Sequence, residues 1–190
     1  TRKESSAASD VYKRQIYDKV NSLVEKYHTR NPEELLDLFG IKLHYIDSPS
    51  KLLGVYQVIL RNRVILIANN IGSLKKIVLA HEIGHDQLHR KYCIDGHAFH
   101  ENKVFNPTDV FENEANIFAA HLLISDEDLI KTMREYTDDK TMAYKLGVDI
   151  NLLNLKISEM VKLNKFPTDI CYIENPKSTF LEDYSPLDDE

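Results

Sequence analysis

Residues 74–89 read LKKIVLAHEIGHDQLH, with His81-Glu82-Ile83-Gly84-His85 at their centre. Side chains four positions apart share a face of an α-helix, so both imidazoles can converge on one metal ion. Glu82 lies between them in sequence and about 80–100° round the helix, close enough to hold a water at that ion. Leu74, Ile77, Val78, His81, His85 and Leu88 form one helical stripe, while Lys75, Lys76 and Asp86 fall away from it. The histidines therefore occupy the face that packs inward. Burying two unpartnered imidazoles there would cost on the order of several kcal/mol, a penalty that zinc ligation removes. A pair of hydrogen-bonded core histidines is the competing reading.

Zinc in a hydrolase usually takes three protein ligands and leaves a fourth position for water. His89 continues the four-residue spacing, but it stands about 12 Å along the axis from His81. It reads as an outer contact or a polar cap near the helix end. A third histidine six residues after His85 is absent, since that position is Lys91. The better third ligand lies in a second helical pattern, residues 110–124, VFENEANIFAAHLLI. Glu112, Ala115, Asn116, Ala119, Leu122 and Leu123 share a broad face of it, and the two alanines allow close approach to the histidine helix. Glu112 can then complete a His-His-Glu set, and Asn116 can hydrogen-bond the far nitrogen of a ligating histidine. Glu114 points about 160° away from Glu112 and ranks second. The rival reading of Glu112 is a solvated first-turn glutamate favoured by the helix dipole.

At this point the chain resembles the ImmA/IrrE metallopeptidases of bacteria and their mobile elements. The resemblance rests on AHEIGHDQLH at 80–89 and FENEANIFAAHLLI at 111–124, with LGVYQVILRNRVILI at 53–67 and MAYKLGV at 142–148 in the family's usual order. It spans roughly residues 16–165. It implies a zincin-like fold, His81, His85 and Glu112 as the zinc ligands, and Glu82 as the catalytic base. It also implies a protein substrate, a helix-turn-helix repressor cut to release transcription of a phage or integrated element. The family often has a proline soon after the second helix; here Ser125-Asp126 follows, and either can cap the next helix. His121, where many relatives carry an acidic residue, lies about 180° from Glu112 and is expected to face outward.

The 190-residue chain has room for one domain with a real core, and its 43% hydrophobic and 28% charged residues are those of a globular protein. No apolar run approaches the roughly 20 residues of a membrane span, and the first residues given lack the basic start and hydrophobic stretch expected of a secretion signal. Two cysteines, Cys93 and Cys171, are too few for a disulfide framework, so a free Cys93 thiol in the cytoplasm is expected over a fourth metal ligand. A net charge of −6 argues against direct nucleic-acid binding, and Arg61, Arg63, Lys75 and Lys76 read as exposed decoration.

Residues 1–9 read as a disordered extension, 10–165 as the metallopeptidase domain with a helical C-terminal part, and 166–190 as a mobile acidic tail. Within the domain, helices are expected over 11–27 and from Pro32 to Phe39, with Gly40 ending the second. A strand follows at 42–46. A hairpin joins 52–60 to 64–68 around Arg61-Asn62-Arg63. The expected class is α+β, zincin-like, with a small antiparallel sheet, a metal-binding helix pair and a C-terminal helical subdomain; an edge strand of such a sheet can pair with an extended substrate. His97, His100 and Tyr92 are candidates to steady an oxyanion. Short helices at 125–136, 138–146 and 151–163 complete the domain. Residues 140–157, with Gly147 in the turn, look like a helix-turn-helix, read as a packing subdomain rather than a DNA reader. Zinc endopeptidase is the leading reading. Its rivals are a non-catalytic zinc protein that docks to a transcription factor, its site closed by Cys93 or His89, and a metal-stabilised DNA-binding regulator.

Overall fold

The computed structural model describes residues 2–47, 53–94, 110–167 and 170. Helix α1 (Arg2–Tyr27) runs through the boundary expected near residue 10. Helix α2 (Pro32–Phe39) begins where the Asn31 side chain accepts from the Glu33 amide, with Pro32 preset for the first turn. It ends at Gly40, whose φ of 65° is left-handed.

Three strands follow: β1 (Lys42–Ile46), β2 (Gly54–Ile59) and β3 (Asn62–Ala68), in the order β1-β3-β2. The α+β class read from the sequence is the one observed, but the sheet is mixed rather than wholly antiparallel. β2 pairs antiparallel with β3, while β1 runs parallel to it. The connection explains the sense of β1. Ile46 stands opposite Ala68 and Gly54 opposite Ile67, so both ends of the 47–53 link lie at the same end of β3. An antiparallel β1 would force that short link to run the length of the sheet. The hairpin turn falls on Leu60 and Arg61, with φ of 48° and 67°, one position earlier than expected. The Asn62 amide caps it by donating to the Leu60 carbonyl at 3.2 Å.

A 3₁₀ turn (Gly72–Leu74) leads into α3 (Lys75–Ile94). Then come α4 (Val110–Leu123), α5 (Asp126–Glu135), α6 (Asp139–Leu146) and α7 (Ile150–Lys162). Ser125, Asp138 and Asp149 cap the last three through their side-chain oxygens. α4 is the central element: residues 114–122 are all buried, between α3 on one side and α1 and α7 on others. That enclosure corrects the outward placing of His121, which is 2% exposed. Its ring packs edge-on against Tyr17, and its Nδ1 accepts from Lys156 Nζ at 3.0 Å. Lys156 also donates to Asp126, which accepts from the Tyr17 hydroxyl as well, so one buried polar group ties α1, α5 and α7 to the back of α4. α6 and α7, with Gly147 left-handed between them, have helix-turn-helix connectivity, yet Leu152, Leu153, Leu155, Lys156 and Ile157 of α7 are all buried. The second helix of that pair is spent on packing.

No described helix is long and apolar enough to cross a membrane. Cys93 is a free, buried thiol. Cys171, His97, His100 and residues 171–190 of the expected tail lie outside the described residues.

Candidate metal centre

His81 and His85 lie on consecutive turns of α3, their rings edge-to-face with centroids 4.7 Å apart. Their Nε2 atoms are 3.0 Å from each other. Glu112, from the first turn of α4, reaches between them: Oε2 is 3.2 Å from His81 Nε2 and Oε1 is 3.4 Å from His85 Nε2. Ligands held about 2.05 Å from a tetrahedral ion stand about 3.3 Å apart, so the spacing of these three donors suits one cation. Among the described residues, this is the group whose metal-binding atoms gather in one place, all within 4.8 Å. The imidazoles are buried, whereas the Glu112 side chain keeps 15% exposure and marks the open side.

Close helix packing makes this possible. A methyl group at Gly84 would lie 3.1 Å from the Ala115 Cα and 3.2 Å from its carbonyl oxygen. With glycine facing alanine, α3 and α4 approach closely enough for Glu112 to span the gap. Asn116, one turn along α4, has its Oδ1 2.9 Å from His81 Nδ1 and therefore accepts that proton, leaving Nε2 for the centre.

Glu82 is 3% exposed and close to the same group. Burial raises its carboxyl to about 7, with Glu112 adding to the rise; the His81 charge and the donating Tyr56 backbone amide oppose it. Burial would also lift Glu112, but hydrogen bonds from His81 and His85 hold it well below the usual carboxylate range. His85 is pushed down to about 4, first by burial and then by the neighbouring imidazoles, so it stays neutral as a metal ligand must. Burial also opposes the His81 charge, but Glu112 more than compensates and the ring sits above its ordinary value.

A second polar group fixes β2 beside Glu82. Asp86, placed off the inward stripe by helical phase, is 1% exposed. It accepts from the Tyr56 hydroxyl at 2.8 Å, from Arg90 at 2.8 Å and from Arg63 at 3.2 Å. Arg63 also donates to the Phe39 carbonyl, so it clasps sheet to helix instead of decorating the surface. Only the order of residues around the hairpin could have hinted at this, because the partners are far apart in sequence. His89 and Glu114 do not join the three-donor group. They contact each other at 2.8 Å, and His89 Nδ1 lies 3.1 Å from His85 Nδ1. Cys93 is likewise outside the group. Tyr92 is half-exposed, its ring against Phe111.

The profile of the IrrE N-terminal-like domain, peptidase family M78, matches residues 36–158, from α2 to near the end of α7. The chain belongs to this peptidase family. Membership, together with the His-His-Glu convergence, supports a metallopeptidase role. The chain is also 33% identical over 144 residues to "Uncharacterized immunity region protein 2" of Bacillus phage phi105, covering 74% of this chain and 89% of that protein.

Proposed function

We propose that this M78-family protein is a zinc-dependent endopeptidase of the cytoplasm, with His81, His85 and Glu112 holding the metal and Glu82 acting as general base and acid. The observation that carries the reading is Glu112 set between the two Nε2 atoms, with one exposed side left for water and substrate. Two imidazoles and a carboxylate match the donor set of catalytic zinc, which would polarise a scissile carbonyl and acidify water.

The remaining chemistry belongs to the chain's own side chains. Glu82 accepts the proton of the attacking water, and its proton affinity near neutrality suits it to return that proton to the departing amine. The Tyr56 amide holds the carboxylate in place, and β2, an edge strand, presents a backbone against which an extended peptide can align.

The resemblance to the phage immunity-region protein supports a regulatory substrate, a helix-turn-helix repressor encoded beside the gene and cut to release transcription. Incubating that repressor with zinc-loaded protein and reading fragments by intact mass tests the reading. Wild type is expected to produce two fragments and Glu82→Gln none, with zinc retained by both. Equal cleavage by the variant would remove Glu82 from the role, and no cleavage by wild type would leave the repressor without support as substrate.

A further inference from the structure

The two histidines of the centre are backed differently. His81 leans on the neutral amide of Asn116 at 2.9 Å, whereas His85 leans on another imidazole, that of His89, at 3.1 Å between Nδ1 atoms. His89 in turn reaches Glu114 with its Nε2, 2.8 Å from Oε2. We propose that His89 and Glu114 are positioning residues of the metal centre, a relay that fixes the ring of His85 so that Nε2 faces the cation. The inference rests on His81, His85 and Glu112 being the metal-holding set.

Proton counting fixes every member of the chain. With Nε2 of His85 given to a cation, its ring proton sits on Nδ1. The neighbouring His89 Nδ1 must then accept, which places the His89 proton on Nε2, and that atom meets a carboxylate oxygen of Glu114. No other arrangement of the three groups satisfies both contacts while leaving His85 Nε2 open. The surroundings keep the relay in one pose. His89 is 1% and Glu114 8% exposed, and Phe111 packs on the His89 ring with centroids 4.7 Å apart. A buried polar pair of this kind is costly to leave half-made, so each member holds the next. The relay also joins α3 to α4 a second time, from one turn beyond His85 on α3, and so helps to hold the helix that supplies the Glu112 carboxylate.

The test is zinc affinity of purified full-length protein, with the visible spectrum of the cobalt(II)-loaded form and the melting temperature of the metal-free form. His89→Phe keeps a ring for Phe111 but cannot accept from His85; Glu114→Ala leaves His89 Nε2 without its acceptor. Both are expected to weaken zinc binding about 10- to 100-fold, the usual effect of losing such outer partners, and to shift the cobalt bands. His89→Asn, whose Oδ1 falls near the position of Nδ1, is expected to stay within a few-fold of wild type. Zinc affinities within twofold of wild type for folded His89→Phe and Glu114→Ala would overturn the relay. Should His89→Phe not fold, Glu114→Gln against Glu114→Met decides: the glutamine retains an acceptor and affinity, the methionine does not, and equal affinities overturn the proposal. Failure of wild type itself to bind zinc would instead bring down the metal reading beneath it.

Discussion

Gly54 of β2 lies directly against Glu82 of α3: a methyl group at Gly54 would stand 2.9 Å from the Glu82 Oε1 and 2.5 Å from the Val78 Cγ1. The strand and the carboxylate share space that any side chain would fill. Gly54→Ala is therefore expected to push Glu82 out of place and lower peptide hydrolysis at least tenfold. Zinc affinity should change little, because the atoms the methyl would meet belong to Val78 and Glu82, neither of which is among the three proposed donors. Overpacking of about 1–3 kcal/mol is the expected stability cost. Paired zinc titration and peptide cleavage check the split; parallel losses in both would point to general unfolding instead.

Gly84→Ala should behave differently. Its added methyl meets the Cα and carbonyl of Ala115, backbone atoms that cannot swing aside. The two helices must part, and Glu112 moves away from both imidazoles. Zinc affinity and activity are expected to fall together, with about 1–3 kcal/mol of stability lost. Isothermal titration with zinc and urea unfolding of the metal-free form measure both.

Burial of Glu82 has a thermodynamic signature of its own. Its carboxyl titrates near 7 folded against a usual 4.5, so the folded protein holds a proton that the unfolded chain has released between those values. The stability from that proton is complete below pH 4.5 and is lost as pH rises through 7. Glu82→Gln, neutral throughout, should match metal-free wild type in stability near pH 4 and exceed it at pH 8, by up to about 3 kcal/mol. Denaturant unfolding across that range is the measurement. A variant no more stable than wild type at pH 8 would contradict the burial argument.

The hairpin offers a change expected to leave function alone. Leu60 and Arg61 both adopt left-handed backbone, and Leu60 is 90% exposed. For such residues that conformation costs about 1–2 kcal/mol each. Leu60→Asn with Arg61→Gly suits a two-residue hairpin turn and should raise stability by about 1 kcal/mol. Zinc affinity should stay unchanged, and a lowered melting temperature would show that the turn is held by something else.

Much of this arrangement was legible along the chain because helical phase is a local property. The four-residue spacing put His81 and His85 on one face, and the same arithmetic on the second helix put Glu112 and Asn116 together facing them. The start at Pro32, the cap at Ser125 and the stop at Gly40 follow from single residue types. Features that depend on what packs against an element were not legible. His121 was placed outward because phase relative to Glu112 cannot reveal that α1 and α7 cover the far side of α4. Phase ranks Glu114 below Glu112 as a donor, in keeping with the three-residue group, but it cannot show that His89, one turn beyond His85 on α3, comes within reach of Glu114. Phase puts Asp86 off the inward stripe and cannot show that the sheet brings Tyr56 and Arg63 to it. The sense of β1 depended on where the 47–53 link had to end, a three-dimensional constraint with no local mark.

The most direct test of the central claim is the zinc stoichiometry and affinity of metal-free wild type beside His85→Ala, Glu112→Ala and Glu82→Gln. One equivalent bound by wild type and Glu82→Gln, with affinity reduced at least 100-fold in the other two, is the predicted result. Undiminished zinc binding by Glu112→Ala would contradict it.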